Sequence, residues 1–394
     1  MFMFGESILT KKNQDNPQQL EKMYFNKKRL FFASLIDKAL SLLYRFGNSP
    51  AENNDAREYR RILLLESHLI GDVIMALPAY RAVREKYPDA ELIFWGNQWG
   101  KDLLEDQYLF DQFFITRIPW ARYDYSFGNL KQLFSQIRQL KKLKIDMALD
   151  FRGDIRNIFL LYLTKARRRV GYDFTGGSYW LTDVVKHPEY IHLIERNLNV
   201  ARHVGAESND NIPGFNVPHA KICNAKKYFD SLGMKNIAII HPGASQTKRL
   251  WPADRFAGII EYLKKNSYSP TLLSSPNDIA IIESIRNKCA VPVDVLSVSL
   301  SDIPAYLSCC EIFIGLDSGM AHIAAAVRKK VIVLFGPQDP AITAPRGRSL
   351  IQIIRKGDFA CRPCDGPTCK YNSACMRAIQ AEDIVEAIEK IESM

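Results

Sequence analysis

The sequence predicts an α/β protein with two doubly wound domains, each built from a largely parallel sheet with helices on both faces. From Arg61 onward, short aliphatic segments alternate with segments of helical periodicity, as in strand-helix-strand units. The aliphatic segments are nearly continuous, which is typical of strands covered on both faces. The chain has 394 residues, enough for two domains of roughly 150 residues each and an appendage.

Seven strands are predicted. The two halves of the chain begin with the same order of elements. Each half starts with an aliphatic strand and continues through a glycine-bearing loop, with Gly71 or Gly243, into a helix. The alternation then lapses in a stretch rich in Gly, Asn and His, so we expect domains at residues 59–215 and 216–394. The predicted strands are residues 62–65, 91–95, 147–150, 237–241, 271–274, 312–316 and 331–335.

Residues 1–58 are predicted to form an N-terminal extension that contains an amphipathic helix. Basic residues at positions 27–29 precede this helix. Two partners remain open for its apolar side: the following domain, or the cytoplasmic surface of a membrane, to which the basic residues would be attracted. The apolar side consists of Phe31, Phe32, Leu35, Ile36, Ala39, Leu40, Leu43 and Phe46.

The composition limits the class of protein. Apolar residues make up 47% and charged residues 24%, which excludes a disordered or collagen-like chain. No stretch approaches the roughly 18 apolar residues that span a bilayer, and no secretory signal is recognised, so we expect a cytoplasmic protein. The net charge of +10 indicates attraction to polyanions such as phosphorylated ligands or anionic membranes. The basic clusters lack a nucleic-acid-binding module, so we expect no nucleic-acid partner.

Ligands of doubly wound sheets bind beyond the carboxyl ends of the strands, so function is expected in the loops that follow strands. In the first such loop, Gly71 permits a tight turn and Asp72 lies at the start of a helix. An aspartate there could cap the helix, or it could act as a catalytic base. The two roles compete, because a carboxylate that accepts hydrogen bonds from backbone amides has a lowered pKa.

The loop after the first strand of the second half has the composition of a phosphate cradle. Its candidate donor-phosphate ligands are two hydroxyls and two adjacent cations, Ser245, Thr247, Lys248 and Arg249. The loop lacks the Walker pattern, and the chain has no Gly-x-Gly-x-x-Gly, which disfavours a nucleotide triphosphatase or a dinucleotide-dependent dehydrogenase. The two cations could instead form a solvated surface pair.

A third loop, Asp317-Ser318-Gly319, enters a helix of small residues that carries His322. Free amides at a helix start attract a diphosphate, and Gly319 permits close approach of a ligand. His322 would then lie one turn into the helix on the ligand side. A buried structural histidine is the alternative.

A fourth loop carries Arg152 and Arg156, which suit an anionic partner and are our candidates for acceptor binding. The alternative is an ion pair between either arginine and Asp154.

Four cysteines close to the C-terminus have the spacing C-x2-C-x4-C-x5-C: Cys361, Cys364, Cys369 and Cys375. Four thiolates within fifteen residues could hold a structural zinc ion, although the second spacing departs from the usual paired Cys-x-x-Cys arrangement. Reduced thiols with a packing role, or an iron-sulfur or redox role, stay open.

Taken together, these loops resemble the heptosyltransferases of glycosyltransferase family 9 over about residues 60–379. The order and spacing of the matching strings carry the resemblance. The strings are Ser67-His-Leu-Ile-Gly-Asp-Val, Asp150-Phe-Arg-Gly, Arg168-Arg-Val-Gly-Tyr-Asp, His241-Pro-Gly-Ala-Ser, Lys248-Arg-Leu-Trp-Pro, Asp317-Ser-Gly-Met-Ala-His and Phe335-Gly-Pro-Gln-Asp-Pro. The resemblance implies the GT-B architecture: two Rossmann-like domains that face each other across a cleft, with the acceptor on the first and the nucleotide sugar on the second.

The resemblance also implies roles for individual residues. Asp72 matches the general base, in preference to a helix cap. Lys248 matches the lysine that binds the donor diphosphate, although an extra leucine before Trp251 leaves Arg249 as a substitute. The further implied donor contacts are Asp278, by a weak match, and Asp317, Ser318, Gly319 and His322.

The implied reaction is inverting transfer of a heptose-like sugar from a nucleotide-diphosphate donor, ADP-heptose, to a hydroxyl of a lipopolysaccharide core acceptor. The chain has no Asp-x-Asp pair, so catalysis is expected to need no metal or other cofactor. The implied partners are the nucleotide sugar, the lipid-linked acceptor and, peripherally, the cytoplasmic face of the inner membrane. Two alternatives stay open: a non-catalytic nucleotide-sugar-binding or scaffold protein of envelope glycan assembly, and a basic nucleic-acid-associated protein.

Overall fold

The computed structural model describes residues 59–122, 125–187, 191–364 and 368–394, so the extension predicted at residues 1–58 lies outside the described residues. The described chain forms two six-stranded sheets of parallel strands. The first sheet contains β1 (Arg61–Glu66), β2 (Glu91–Gly96), β3 (Gln112–Ile115), β4 (Met147–Asp150), β5 (Arg168–Gly171) and β6 (Asp183–Val184). The second contains β7 (Ile237–His241), β8 (Ser269–Leu273), β9 (Asp294–Leu296), β10 (Ile312–Leu316), β11 (Lys330–Leu334) and β12 (Ile351–Ile354).

Both sheets have the same strand order. The first runs β3-β2-β1-β4-β5-β6, and the second runs β12-β11-β10-β7-β8-β9, which is the same 3-2-1-4-5-6 order when counted within the sheet. This is the order of a doubly wound nucleotide-binding sheet. The prediction of an α/β fold with two doubly wound sheets is therefore confirmed.

All seven predicted strands are present, but β8 starts two residues earlier than predicted, and β11 is displaced by one residue. The five unpredicted strands are β3, β5, β6, β9 and β12. Four of them are the edge strands of the two sheets, and β5 pairs with the two-residue edge strand β6. Edge strands are covered less completely than central ones, so they lack the continuous aliphatic character on which the prediction depended.

Helices cover both faces of each sheet. In the first half they are α1 (Ile70–Lys86), α2 (Gln98–Leu104), α3 (Pro119–Arg122), α4 (Phe127–Lys142), α5 (Ile155–Leu163) and α6 (Leu193–His203). In the second half they are α7 (His219–Ser231), α8 (Ala253–Lys265), α9 (Ile279–Arg286), α10 (Ile303–Ser308), α11 (Gly319–Ala326), α12 (Pro340–Thr343), α13 (Ala374–Arg377) and α14 (Ala381–Glu392). No helix in the described part of the chain is long and apolar enough to cross a membrane.

One apolar cluster joins the two sheets. It extends from Leu64 of β1 through Tyr80 of α1 to Ile323 of α11 and Phe313 of β10. Helices α1 and α11 pack directly against each other between the sheets. The two remaining clusters are separate and lie on the outer face of each sheet. The N-terminal ends of α1 and α11 are thereby brought together, which places the loops after β1 and β10 side by side.

We propose a domain boundary between residues 215 and 216, as the sequence predicts. Helix α6 packs on α1 of the first half, whereas α7 packs on α10 of the second half. Between them, the Phe215 amide donates to the carbonyl of Ala326, so the connecting segment is held on the second half at that point (3.0 Å).

Candidate active site

The site forms where the first turns of α1 and α11 meet. Gly71 lies so close to α11 that a Cβ atom there would be 3.3 Å from Cδ2 of His322. Gly319 lies closer still to α1, because a Cβ atom there would be 2.5 Å from Cγ2 of Ile70. Glycine at both positions therefore allows the two helix starts to approach. The structure thus brings Asp72, Gly319 and His322 into one place, although they are up to 250 residues apart in the chain.

Asp72 occupies the third position of α1, after the N-cap residue Leu69. Its Oδ2 atom accepts a hydrogen bond from the Leu69 amide at 3.1 Å. Asp72 is therefore not the N-cap residue of α1, as the sequence alternative had it, but it caps the helix from the third position. Its Oδ1 atom lies 3.3 Å from Nη1 of Arg152, which follows β4. The carboxylate is only 19% exposed. Capping and ion pairing thus use separate oxygens of one partly buried carboxylate.

The surroundings of Asp72 keep it ionised. Burial by itself raises the pKa of Asp72, but the Arg152 guanidinium, His68 and the Leu69 amide outweigh burial and hold the pKa below its ordinary value. A carboxylate of low pKa is a weak base in the resting protein.

The second half contributes a buried cation-carboxylate pair at the start of α11. Nη1 of Arg249 donates to the backbone carbonyl of Asp317 at 3.1 Å and lies 3.3 Å from its Oδ2. Burial raises the pKa of Asp317, while the neighbouring Arg249 opposes this shift. The charge of Arg249 is thereby fixed beside the free amides of α11, which favour an anionic ligand.

His322 lies in the first turn of α11 and is buried. Burial lowers the pKa of His322 to about 4, against the attraction of Asp72, which raises it. The imidazole is therefore neutral near pH 7 and can donate or accept a single hydrogen bond at each ring nitrogen.

Asp278 and Ser318 belong to a network of polar contacts that packs against the loop after β7, residues 242–249. Ser318 Oγ lies 3.3 Å from Nδ1 of His241, and Nε2 of that ring lies 3.7 Å from Oδ2 of Asp278. Asp278 also accepts hydrogen bonds from the amide and hydroxyl of Ser275. A Cβ atom on Gly243 would coincide with this carboxylate, so the loop packs directly on Asp278. The nucleoside contact predicted for Asp278 stays a prediction.

Lys248 contacts the segment that carries the C-terminal cysteines. Its amino group donates to the carbonyl of Cys364 at 2.9 Å and lies 3.5 Å from the sulfur of the same residue. The residue is only 3% exposed. Arg249, the substitute considered from sequence, is the loop cation that contacts Asp317. Ser245 and Thr247 are exposed on the same loop.

Arg156 and Arg152 have different partners. The guanidinium of Arg156 pairs with Asp154, with Nη2 to Oδ2 at 2.5 Å, as the ion-pair alternative predicts. It also lies over the Trp120 ring at 5.5 Å. The other ion pair that the sequence allows, between Arg152 and Asp154, does not form, because Arg152 contacts Asp72 instead.

Two residues near Asp72 were missed from sequence. Arg196 of α6 is 3% exposed, stacks over Phe174 at 5.4 Å, and is one of the cations that lower the pKa of Asp72. Its position within the apolar side of the α6 pattern was the available signal, since arginine is rarely buried without a purpose. His68 belongs to the first loop and is fixed by two hydrogen bonds: its amide donates to Oε1 of Glu66, and its carbonyl accepts from Nε1 of Trp99.

Of the roles that the sequence leaves open for the four C-terminal cysteines, a structural zinc site is not supported by the described residues. All are free thiols, and the described residues hold no group of three or more His, Cys, Asp or Glu side chains that could bind a metal. Three of the four thiols have different surroundings: Cys364 contacts Lys248, Cys369 accepts two backbone amides, and Cys375 is buried in the apolar cluster on the outer face of the second sheet. These contacts do not fit four thiolates that converge on one ion.

The family is decided by a sequence comparison. The model of "Glycosyltransferase family 9 (heptosyltransferase)" matches residues 133–374, more than half of the chain. The chain belongs to this family. Within family 9, it is 25% identical over 337 residues to lipopolysaccharide heptosyltransferase 3 of Escherichia coli, covering 82% of this chain and 96% of the relative.

Two solved structures share the fold of this family 9 chain. A family 9 glycosyltransferase from Veillonella parvula superposes with a TM-score of 0.72 at 18% identity, covering 85% of this chain and 98% of the other. E. coli ADP-heptose lps heptosyltransferase II gives 0.70 at 18% identity, covering 84% and 98%. The GT-B architecture implied by the resemblance is confirmed by these structures.

Proposed function

We propose that this family 9 chain catalyses inverting transfer of a heptose-like sugar from ADP-heptose to a hydroxyl of a lipopolysaccharide core acceptor. The observation that supports the proposal most strongly is the meeting of Asp72 with the start of α11, Arg249 and His322. One side supplies a carboxylate, and the other supplies a cation and unpaired helix amides. An inverting glycosyl transfer needs both, a base for the acceptor hydroxyl and charge stabilisation for the leaving diphosphate. The names of the relatives support the choice of sugar and acceptor.

In this proposal the donor diphosphate lies at the amides of α11, beside Arg249. Ser318, Gly319 and the His322 ring would contact the diphosphate there, and Asp317 fixes the Arg249 side chain. Lys248, Ser245 and Thr247 line the loop that would close over the phosphates. For Lys248 this requires its amino group to leave Cys364 when the donor binds.

Arg152 would take part in acceptor binding through its exchange of partners. An anionic group of the acceptor, close to the accepting hydroxyl, would attract the guanidinium away from Asp72. The pKa of Asp72 would rise as its closest cation leaves, so base strength would increase only with the acceptor in place. Arg156 would attract an anionic acceptor at the edge of the same site, while Asp154 keeps the Arg156 side chain in position.

Replacing Asp72 tests the proposal. Asp72→Asn should lower turnover by about a hundredfold to ten-thousandfold with little change in donor affinity, because a positioned base contributes on that order. The assay measures ADP release from ADP-heptose with a truncated core acceptor. Asp383→Asn is the matched control, since Asp383 occupies the third position of α14 and accepts a hydrogen bond from the Gln380 amide in the same way. Near-normal turnover of Asp72→Asn would remove Asp72 from the role of base.

The same assay separates the enzyme from a non-catalytic nucleotide-sugar-binding protein. Donor binding without ADP release for any acceptor tried would support the binding protein and refute the transferase. We also propose that no metal is needed, with Arg249 and the α11 amides in the place of a cation. Activity should therefore persist in EDTA; a loss that Mg²⁺ restores would contradict this.

A further inference from the structure

The outer face of α4 exposes two phenylalanines. Phe127 is 83% exposed and Phe134 is 63% exposed, whereas Leu133, Ile137 and Leu140 on the inner side are buried against the first sheet. The two rings are seven residues apart, or two turns, so they project from the same side of the helix. Single exposed apolar residues are common on protein surfaces, but an aligned aromatic pair on a helix that already has its own buried side is not explained by folding.

Cations lie between and beyond the two rings. At 100° per residue, Lys131, Arg138 and Lys141 fall within about 40° of Phe127 around the helix axis. All three are exposed, and no acidic side chain of the described residues lies within 4 Å of them. We call this side of α4 the basic aromatic face, defined by Phe127, Lys131, Phe134, Arg138 and Lys141.

The absence of acidic residues distinguishes α4 from the other long helices. Among helices of ten or more residues in the described ranges, it is the one with no Asp or Glu. The adjoining helix α5 also carries aromatic rings close to a cation. Phe159 contacts Trp180 there, and the Lys165 ammonium lies over the Tyr162 ring at 4.6 Å. The surface therefore combines exposed aromatic rings with uncompensated positive charge.

We propose that the basic aromatic face docks on the surface of an anionic phospholipid bilayer. Phenylalanine rings on one side of a surface helix enter the boundary between headgroups and acyl chains, and lysine and arginine reach the lipid phosphates around them. Each cation close to an anionic leaflet adds to the attraction. The choice of a bilayer rests on the proposed function, in which the acceptor is lipid-linked.

The position of α4 fits this orientation. Its N-terminal end follows β3 at the carboxyl edge of the first sheet, where Tyr125 interacts with Arg156 and Arg152 contacts Asp72. A bilayer against the basic aromatic face would thus lie beside the proposed acceptor site.

The N-terminal extension is the competing occupant. Arg61 donates to the carbonyl of Leu143 just after α4, so the described chain starts beside the C-terminal end of this helix. The extension, however, carries basic residues at positions 27–29, which repel a basic surface and are attracted to the same anionic lipid. Charge therefore favours lipid over the extension as the partner of the basic aromatic face.

The test is sedimentation of the full chain with two kinds of vesicle. One kind is phosphatidylcholine alone, and in the other about one lipid in three is the anionic phosphatidylglycerol. Phe127→Gln with Phe134→Gln should weaken binding on the order of tenfold per ring. Lys131→Gln with Arg138→Gln should weaken it by about fivefold per cation, and only on the anionic vesicles. Added salt should reduce the second effect, because exposed charges are screened.

Matched controls use exposed residues elsewhere. Tyr108→Gln with Ile279→Gln controls for the loss of apolar surface, and Lys226→Gln with Lys227→Gln on α7 controls for the loss of charge. All four double variants should keep wild-type ADP release with a water-soluble, deacylated acceptor. Failure of the docking proposal can therefore be distinguished from failure of the transferase proposal, because vesicle binding needs no turnover.

Three results would overturn the docking proposal. The first is wild-type binding to anionic vesicles by both α4 double variants, which would assign any membrane contact to another segment such as the extension. The second is equal binding of the wild type to vesicles with and without anionic lipid. The third is no vesicle binding together with tight, salt-sensitive binding to a duplex oligonucleotide that the α4 variants lose, which would assign the surface to nucleic acid.

Discussion

Replacing Gly319 by alanine tests whether the two helix starts must touch for the site to work. A Cβ atom at position 319 would lie 2.5 Å from Cγ2 and 2.7 Å from Cβ of Ile70. Non-bonded carbon atoms pack at about 3.5–4.0 Å, so the starts of α1 and α11 would have to separate by roughly 1 Å. Displacement of about 1 Å between reacting groups costs on the order of a hundredfold in rate. We therefore expect Gly319→Ala to lower kcat/KM by about that factor.

The assay is steady-state ADP release, combined with urea denaturation to measure the free energy of unfolding. Overpacking at the contact should cost about 1–3 kcal/mol of that free energy, too little to unfold a protein of typical stability. A second change, Ile70→Ala, removes the Cγ2 atom and should recover part of both losses. Recovery through the partner residue would show that the contact, and not the helix itself, is responsible.

Gly258→Ala is the matched control, because Gly258 lies within α8 and a Cβ atom there would meet nothing within 4 Å. Alanine in a helix is favoured over glycine by up to about 1 kcal/mol, so this variant should be as active as the wild type and as stable or more stable. Wild-type kcat/KM for Gly319→Ala, in a preparation that is folded, would refute the reasoning that the approach of α1 and α11 assembles the site.

Two further predictions concern buried charge. Arg249→Gln leaves the Asp317 carboxylate buried without its cation, so the free energy of unfolding should fall by about 3 kcal/mol and the donor KM should rise; a variant unchanged in both urea denaturation and donor titration would contradict this. Burial holds the pKa of His192 at about 4, below its ordinary value, so the unfolded chain takes up the proton first and stability is lost as pH falls from about 6.5 to 4. His192→Asn keeps a helix cap without a titrating ring, and the wild type should lose up to about 3 kcal/mol more than this variant between pH 7 and 4; parallel pH dependences would show that His192 does not contribute.

Local sequence was sufficient for the central strands and for the loops between them. Strands β4, β7 and β10 have the predicted bounds, because a strand buried on both faces must be aliphatic along its whole length. The position of Asp72, Arg152, Asp317 and His322 shortly after such strands also predicts that they lie at the carboxyl edges of their sheets. These predictions succeeded because they depend on neighbours within a few residues.

Partner choice could not be predicted in the same way. Whether Arg152 would meet Asp154, two residues away, or Asp72, 80 residues away, depends on how α1 and the loop after β4 pack. The same holds for the adjacent cations Lys248 and Arg249, of which one contacts Cys364 and the other Asp317. Side-chain direction in a short loop is set by the surfaces that surround it, and sequence does not record them.

By itself, the amino-acid sequence determined the two doubly wound sheets, the family to which the chain belongs and the loops in which its polar residues lie. Tertiary structure alone decided which charges meet: it paired Asp72 with Arg152 and set Arg249 beside Asp317 at the start of α11. The physical reason is the distance along the chain over which each feature is determined. Burial patterns repeat along a few residues of chain, whereas an ion pair or a thiolate cluster depends on the relative placement of elements that the chain separates widely.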